Sequence, residues 1–388
     1  MAAWTTTPQV TLRAVPERSS SRLFNASGRA RELRASPLFA IGPSEPEPAI
    51  RRGALLAVPI GLALVVELGF NAPTQGAIAA GALINGFPGM DAPAKARAGW
   101  QAATAPLIGL AACLGVLSSQ FGPTAVLALG LLGLLAGYCF AVSLRLAIVG
   151  LSVTLAMLIA QGLFLPASDA LPALLWGTVG GLTQVAWSLI VRLALDKDDD
   201  EPEKAWDGGA ALTALRSNLT LGSTSARHGI RFGVALAAGD AAYLVLGFHQ
   251  HGYWIPLTIL FVMRPEREET DHRLVLRALG TVLGLILATA VGEAFAGDDL
   301  VLGAVLTVAA ALSFGLLAVQ YALFTAAITT FVVLMSTTVG EGAFHAAGQR
   351  ATGTVLGIAI AFLAWRLWPN PRGAVDLAGQ PNVGGAET

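Results

Sequence analysis

The chain has 388 residues, of which 54% are hydrophobic and only 13% charged, with 24 Lys or Arg against 25 Asp or Glu and a mean hydropathy of +0.65. Soluble domains carry roughly 25% charge, so this composition excludes an ordinary soluble globular protein and points to a lipid bilayer as the main solvent. The net charge of −1 excludes nothing, because charges on a membrane protein act by position and not by sum.

Residues 1–50 are polar, contain Arg13, Arg18, Arg22, Arg29, Arg31 and Arg34, and end in the stretch GPSEPEP. They read as a disordered basic cytoplasmic leader held against anionic lipid, in preference to an organelle transit peptide. No apolar run of the kind a cleaved secretory signal needs occurs before Arg51.

A helix needs about 20 apolar residues to cross the hydrocarbon core. Residues 51–195 supply six candidate crossings, near 53–70, 74–87, 99–119, 122–140, 144–164 and 171–193. Residues 196–226 form an acidic cytoplasmic linker, too short for an ordinary folded domain. Residues 227–368 supply six more candidates, near 229–248, 252–263, 273–296, 299–318, 320–338 and 344–367, and residues 369–388 form a cytoplasmic tail. With both termini inside, every Lys and Arg except Arg350 falls on the cytoplasmic side, as the positive-inside rule demands. The predicted fold is therefore an all-α integral membrane protein of about 12 transmembrane helices.

Two repeats divide those helices. Pro88 precedes Trp100 by twelve residues and Pro265 precedes Arg277 by the same twelve, with Thr104 and Thr281 following at equivalent places. Six crossings per unit is an even number, so the two halves point the same way: two parallel six-helix halves, a fused pseudo-dimer. Within the second half, RALGTVLG from Arg277 and RATGTVLG from Arg350 agree at seven of eight positions, 73 residues apart. Three crossings is an odd number, so each half reads as an inverted repeat of two three-helix units, a pattern found in transporters. In the first half Trp100 and Leu174 stand where the arginines would be. Gly280, Thr281 and Gly284, like Gly353, Thr354 and Gly357, share one helix face and allow close helix packing. The second and eighth spans are short for a crossing, and matched short segments point to a substrate site near the midplane, or else to tilted helices in a thinned bilayer.

The stretch HGYWIPLTILFVMRPE, followed by RLVLRALGTVLG, resembles the fusaric acid resistance protein family. The likeness covers residues 225–368 well and 50–195 only through the repeat and span pattern. The family is similar to bacterial aromatic acid exporters and to plant aluminium-activated malate transporters. The resemblance implies a membrane transporter or channel that moves organic, often aromatic, carboxylates out of the cytoplasm, with Arg277 and Arg350 as pathway-lining cations. Two departures stand against it: the large cytoplasmic domains of the exporters have no counterpart here, and the first half lacks the motif arginines.

The remaining candidates follow from position. Arg350 lies some 12 Å inside the outer end of its helix, and intramembrane cations mark ion or substrate paths; the alternatives are snorkelling or pairing with an acid. Arg277, with Arg273 one turn earlier, could instead snorkel to the cytoplasmic interface. Asp240 needs a partner or a proton, so it either pairs with Arg277 or Arg350 or couples transport to protons. Tyr253 and Trp254 either stack on an aromatic substrate or belong to an interfacial belt. Thr281 and Thr354 join the pathway set, His345 is placed at the outer mouth, and Glu67 reads as interfacial. His249 and His251 lack a third ligand, Cys113 and Cys139 read as small buried hydrophobes, and neither a metal nor a cofactor is expected.

The leading functional expectation is an exporter of organic anions, of the aromatic carboxylate class, in the bacterial inner membrane, with proton coupling left open. A passive anion channel and a non-transporting scaffold are the alternatives. No nucleophile–base or phosphate-loop spacing suggests an enzyme, and no nucleic-acid partner is implied. Small organic anions and lipid are the expected partners, as a monomeric pseudo-dimer or a homo-oligomer.

Overall fold

Long uncharged runs of Leu, Ala, Val and Gly leave the backbone no polar partner but itself, and the helix satisfies every N–H and C=O within one segment. The computed structural model describes residues 46–69, 76–195, 207–247, 253–337 and 342–369, in which helices joined by short turns are found and no strand. The basic leader, the acidic part of the linker, His249, His251 and the tail beyond Pro369 lie outside the described residues.

The first six helices are α1 (Pro46–Gly69), α2 (Ala77–Gly86), α3 (Ala94–Ser119), α4 (Gly122–Tyr138), α5 (Leu144–Gly162) and α6 (Ala170–Leu195). A ten-residue helix, α7 (Gly208–Ser217), occupies part of the linker. Then follow α8 (Thr224–Val245), α9 (Trp254–Val262), α10 (Arg267–Ala294), α11 (Asp299–Leu316), α12 (Tyr321–Thr337) and α13 (Ala343–Leu367). Each of the twelve apolar runs lies on a helix. Eight of these helices (α1, α3, α4, α5, α6, α10, α11 and α13) are long and apolar enough to cross a membrane. At about 1.5 Å per residue, α2 and α9, with ten and nine residues, span only some 15 Å and 13 Å.

Local chemistry sets several boundaries. Ser143, Ser223 and Asp298 accept hydrogen bonds from the N–H groups of Leu146, Ala226 and Val301, which starts α5, α8 and α11. The Ser223 cap places the start of α8 at Thr224, so the linker ends before residue 226 and Arg227 and Arg231 belong to the helix. Arg231 stacks on Trp365 at 3.3 Å and donates to the Trp368 carbonyl at 2.8 Å, tying the start of α8 to the end of α13.

The helices are packed small side in. On α10, Gly280, Thr281, Gly284 and Ala288 are buried while Leu279, Val282, Leu283 and Ile286 are exposed. That distribution inverts the soluble pattern and suits lipid, where association depends on close backbone approach. Several crossings recur at a fixed spacing of 177. A Cβ on Gly180 would lie 2.3 Å from the Ile78 carbonyl, and one on Gly357 would lie 2.6 Å from that of Ile255 (180 to 357, 78 to 255). Gly115 likewise meets Met157 and Ala160, and Gly292 meets Leu334 and Thr337. This register puts Ala173, next to the expected Leu174, opposite Arg350; neither is a cation.

The two runs of six also interlock. Helix α1 packs along α11 and α8 packs along α4. Gly53 meets the Ala311 carbonyl and the Gly315 nitrogen, and Gly229 meets the Leu134 carbonyl and the Tyr138 nitrogen. Relative to those partners α8 trails α1 by 176 residues (53 to 229), so Glu67 on α1 corresponds to Tyr243 on α8.

Candidate functional site

Helix α9 carries one motif arginine at each end. Arg350 is 1% exposed, and its guanidinium carbon lies 5.8 Å from the ring centroid of Trp254, the first residue of α9. Arg277 is fully buried, with its guanidinium carbon 5.1 Å from the ring of Phe261, one residue before the helix end. Seven residues of helix separate those two rings, about 10 Å along the axis. The glycines of the repeated octapeptide account for the placement. Gly353 and Gly357 seat α13 against Trp254, Ile255 and Thr258 of α9, while Gly280 and Gly284 seat α10 against Ala322, Thr325, Ala326 and Thr329 of α12.

Neither cation is neutralised. Arg277 and Arg350 form no ion pair, and Nε and Nη1 of each are buried without a hydrogen-bond acceptor. Arg277 interacts with Tyr321, whose hydroxyl gives its own proton to the Phe261 carbonyl at 2.9 Å. A cation–π contact is worth about 1–2 kcal/mol, whereas taking an ion out of water costs several, so the aromatic rings do not balance the burial. The hydroxyls of Thr281, Thr325 and Thr329 are also buried and without partners at the α10–α12 contact. By contrast, Thr354 and Thr258 turn back onto the Arg350 and Trp254 carbonyls of their own helices.

Beyond Arg277, in the turn before α10 and on its first turns, the cations are paired. Glu269 accepts from Arg273 at 2.9 Å and lies 3.7 Å from Arg264, and Arg273 also covers the Tyr321 ring at 4.6 Å. Burial first, and then the neighbouring Arg273, pull the Arg264 guanidinium down to about 10.

The structure revises several expectations. Asp240 is fully buried but pairs with neither Arg277 nor Arg350, and both its carboxylate oxygens lack hydrogen-bond partners. It lies on α8 next to Gly239, which packs on Pro256 and Ile259 of α9. Tyr253 and Trp254 are buried at 7% and 0% exposure, against an interfacial belt, and their rings meet edge to face at 5.8 Å. Arg277 does not snorkel. His345 is exposed and bonded to Gln349, about 140° around α13 from Arg350. Glu67 is buried against its own chain: it accepts from the N–H groups of Ile78 at 2.9 Å and Ala79 at 3.4 Å, closing the N-terminus of α2.

A second polar group went unnoticed in the sequence. Asn85 donates to the Gln101 and Gly181 carbonyls, Ser188 donates to Gln101 Oε1, Arg97 donates to Ser188, and Gln184 donates to the Leu56 carbonyl. The buried polar groups of the first six helices are thus mostly amides and hydroxyls, joined by Arg97, whereas the second six bury Arg231, Arg277 and Arg350. The signal was a set of amides inside apolar runs, which spacing alone did not distinguish from ordinary packing.

Eight membrane-length apolar helices packed small side in, around buried cations, define a multi-pass helical membrane protein. Residues 235–372, from within α8 to just past α13, match the family model described as fusaric acid resistance protein-like. It is 38% identical over 185 residues to the inner membrane protein YccS of Escherichia coli (strain K12), covering 46% of this chain and 25% of that protein. It is 31% identical over 158 residues to "Uncharacterized protein ORF2" of Neisseria gonorrhoeae, covering 40% of this chain and 37% of the relative. A Haemophilus influenzae protein is 32% identical over 155 residues, which is 40% of this chain and 21% of the relative. The matched stretch therefore spans from about a fifth to little more than a third of these relatives. No solved structure matches the chain.

Proposed function

We propose that this protein exports organic anions, of the aromatic carboxylate class, across the bacterial inner membrane. The observation that carries the reading is the pair of buried, unneutralised arginines at the two ends of α9. A buried cation without a partner is costly unless an anion regularly joins it, and the Trp254, Phe261 and Tyr253 rings offer apolar walls for a planar body. The printed name of the E. coli relative supports the inner membrane as the location. The repeated 177-residue register supports twelve crossings in two parallel halves, and the exchange of α10–α12 for α13–α9 contacts supports an inverted three-helix repeat in the second. Both termini then face the cytoplasm.

Asp240, buried and without a partner, favours proton coupling over passive conduction, because a carboxyl bonded to neither arginine can carry a proton on its own. Proteoliposome flux of benzoate, cinnamate and malate tests both points. Uphill movement driven by a pH gradient is expected, with the aromatic acids moving faster. Flux that follows only the electrical potential would establish a passive channel, and no flux of any acid would overturn the proposal.

A further inference from the structure

The two copies of the octapeptide make two matching helix contacts. Gly353 packs on the Cβ of Trp254, and Gly357 on the Ile255 carbonyl and the Cβ of Thr258. Gly280 packs on the Cβ of Thr325, and Gly284 on the Ala326 carbonyl and the Cβ of Thr329. Thr325 thus takes the place of Trp254, and Thr329 that of Thr258. A helical threonine ordinarily bonds back to the carbonyl one turn earlier. Thr354 and Thr258 do so at the α13–α9 contact, at 2.9 Å and 3.0 Å. At the α10–α12 contact the threonines do not: Thr281, Thr325 and Thr329 are buried, and all three hydroxyls are without partners. Arg277 stands one turn before Thr281 on the same face of α10, fully buried, and Nε, Nη1 and Nη2 all lack an acceptor. Its polar neighbour Tyr321 is neutral and has given its own proton to the Phe261 carbonyl. The carboxylate of Glu269 is taken by Arg273. One helix pair therefore gathers a cation and three hydroxyls, every one of them able to donate, and brings no anion to receive them.

We propose that the α10–α12 contact is the carboxylate site of the transported anion, with Arg277 supplying the charge and the Thr281, Thr325 and Thr329 hydroxyls donating to the carboxylate oxygens. Side chains one turn apart have Cβ atoms about 5–6 Å from one another, a gap that one carboxylate spans with hydrogen bonds of about 2.7 Å. In the present packing these groups are closed off, so loading draws α12 back from α10 and exchanges unmade hydrogen bonds for charge-assisted ones. The α13–α9 contact, with its threonines bonded to their own helices and Trp254 in the place of Thr325, does not hold the carboxylate. The inference rests on the anion-transport reading and names the groups that hold the anion.

The test is equilibrium binding of radiolabelled benzoate to the full chain in lipid nanodiscs, with thermal melting of the same samples. Thr325→Val and Thr329→Val keep the shape of the side chain and remove its hydroxyl. Each should bind benzoate about tenfold more weakly, yet melt no lower than wild type, because the lost hydroxyl has no partner in the empty protein. Thr325→Ser and Thr329→Ser should keep most of the binding. Thr258→Val, which removes a self-bonded hydroxyl at the other contact, should leave benzoate affinity unchanged. If the α12 variants do not fold, Thr281→Val on the facing helix should show the same weakened binding. Benzoate affinity unchanged in the valine variants, lowered equally by Thr258→Val, or absent from wild-type protein overturns the site. A lower melting temperature in Thr325→Val and Thr329→Val, restored by serine, makes the hydroxyls structural and also overturns it. Binding with the expected pattern but no flux overturns export and leaves the site standing. Flux indifferent to the valine substitutions overturns the site and leaves export standing.

Discussion

Arg350 rests over Trp254 with its guanidinium carbon 5.8 Å from the ring centroid, and no carboxylate meets it there. A side chain held in that way contributes little to the fold. Arg350→Gln is therefore expected to leave the melting temperature unchanged or raised, since it removes an unpaired buried charge. Anion flux should fall about ten- to a hundredfold, the equivalent of one charge-assisted hydrogen bond of about 1.5–3 kcal/mol. A folded variant with wild-type flux would remove Arg350 from the pathway, and a large loss of melting temperature would make its role structural.

The paired crossings make a sharper claim about packing. Gly180→Ala and Gly357→Ala each drive a methyl group into a backbone carbonyl, 2.3 Å and 2.6 Å away, and each should cost about 1–3 kcal/mol. Gly348 has nothing within 4 Å, so Gly348→Ala should gain up to about 1 kcal/mol from helix propensity. Melting curves of the three variants in one detergent decide the matter. Equal stability across the set would mean that the close crossings do not persist.

Glu67 offers a test on the other side of the repeat. Glu67→Gln keeps the shape but drops the charge that faces the α2 N-terminus, and should destabilise by about 0.5–2 kcal/mol. Flux should stay near the wild-type value, because the proposed anion site lies in the last six helices. A melting temperature unmoved by the substitution would show that the cap has no energetic weight.

Glu269 holds Arg273 and approaches Arg264 close to Arg277. Its side chain is 42% exposed, so Glu269→Gln should change stability by less than about 1 kcal/mol. The added positive potential should speed anion entry from that side severalfold at low ionic strength, and the gain should vanish near 0.5 M salt, where the Debye length is about 4 Å. A salt-independent difference, or a slower initial rate, would count against electrostatic attraction at this mouth.

Much of the helical frame was legible in the sequence. The twelve apolar runs became helices, the Gly-Thr-x-x-Gly faces became buried contacts, and the second and eighth segments proved short. These features are local: they depend on periodicity and side-chain size within one segment. What could not be read depends on neighbours far apart in the chain. Asn85 bonds a carbonyl 96 residues away, and the Asp240 carboxylate had two plausible cations but bonds to neither. Glu67 is only eleven residues from Ile78, yet its role hinged on α2 beginning where it does. The 177-residue spacing shows only in the crossings, which set Ala173, and not Leu174, against Arg350.

The reciprocal seating of α1 on α11 and of α8 on α4 bears on how the protein is made. When the ribosome has delivered the first six helices, the glycine face around Gly53 and the facing stripe of Gly130, Gly133 and Gly137 have no mates, because both mates are still to be synthesised. The early helices must wait in the bilayer until α8 and then α11 arrive, and the last of these closes on the first. Insertion therefore precedes assembly by most of a chain length, and any factor that shields small-residue faces in the membrane has its natural moment of action in that interval.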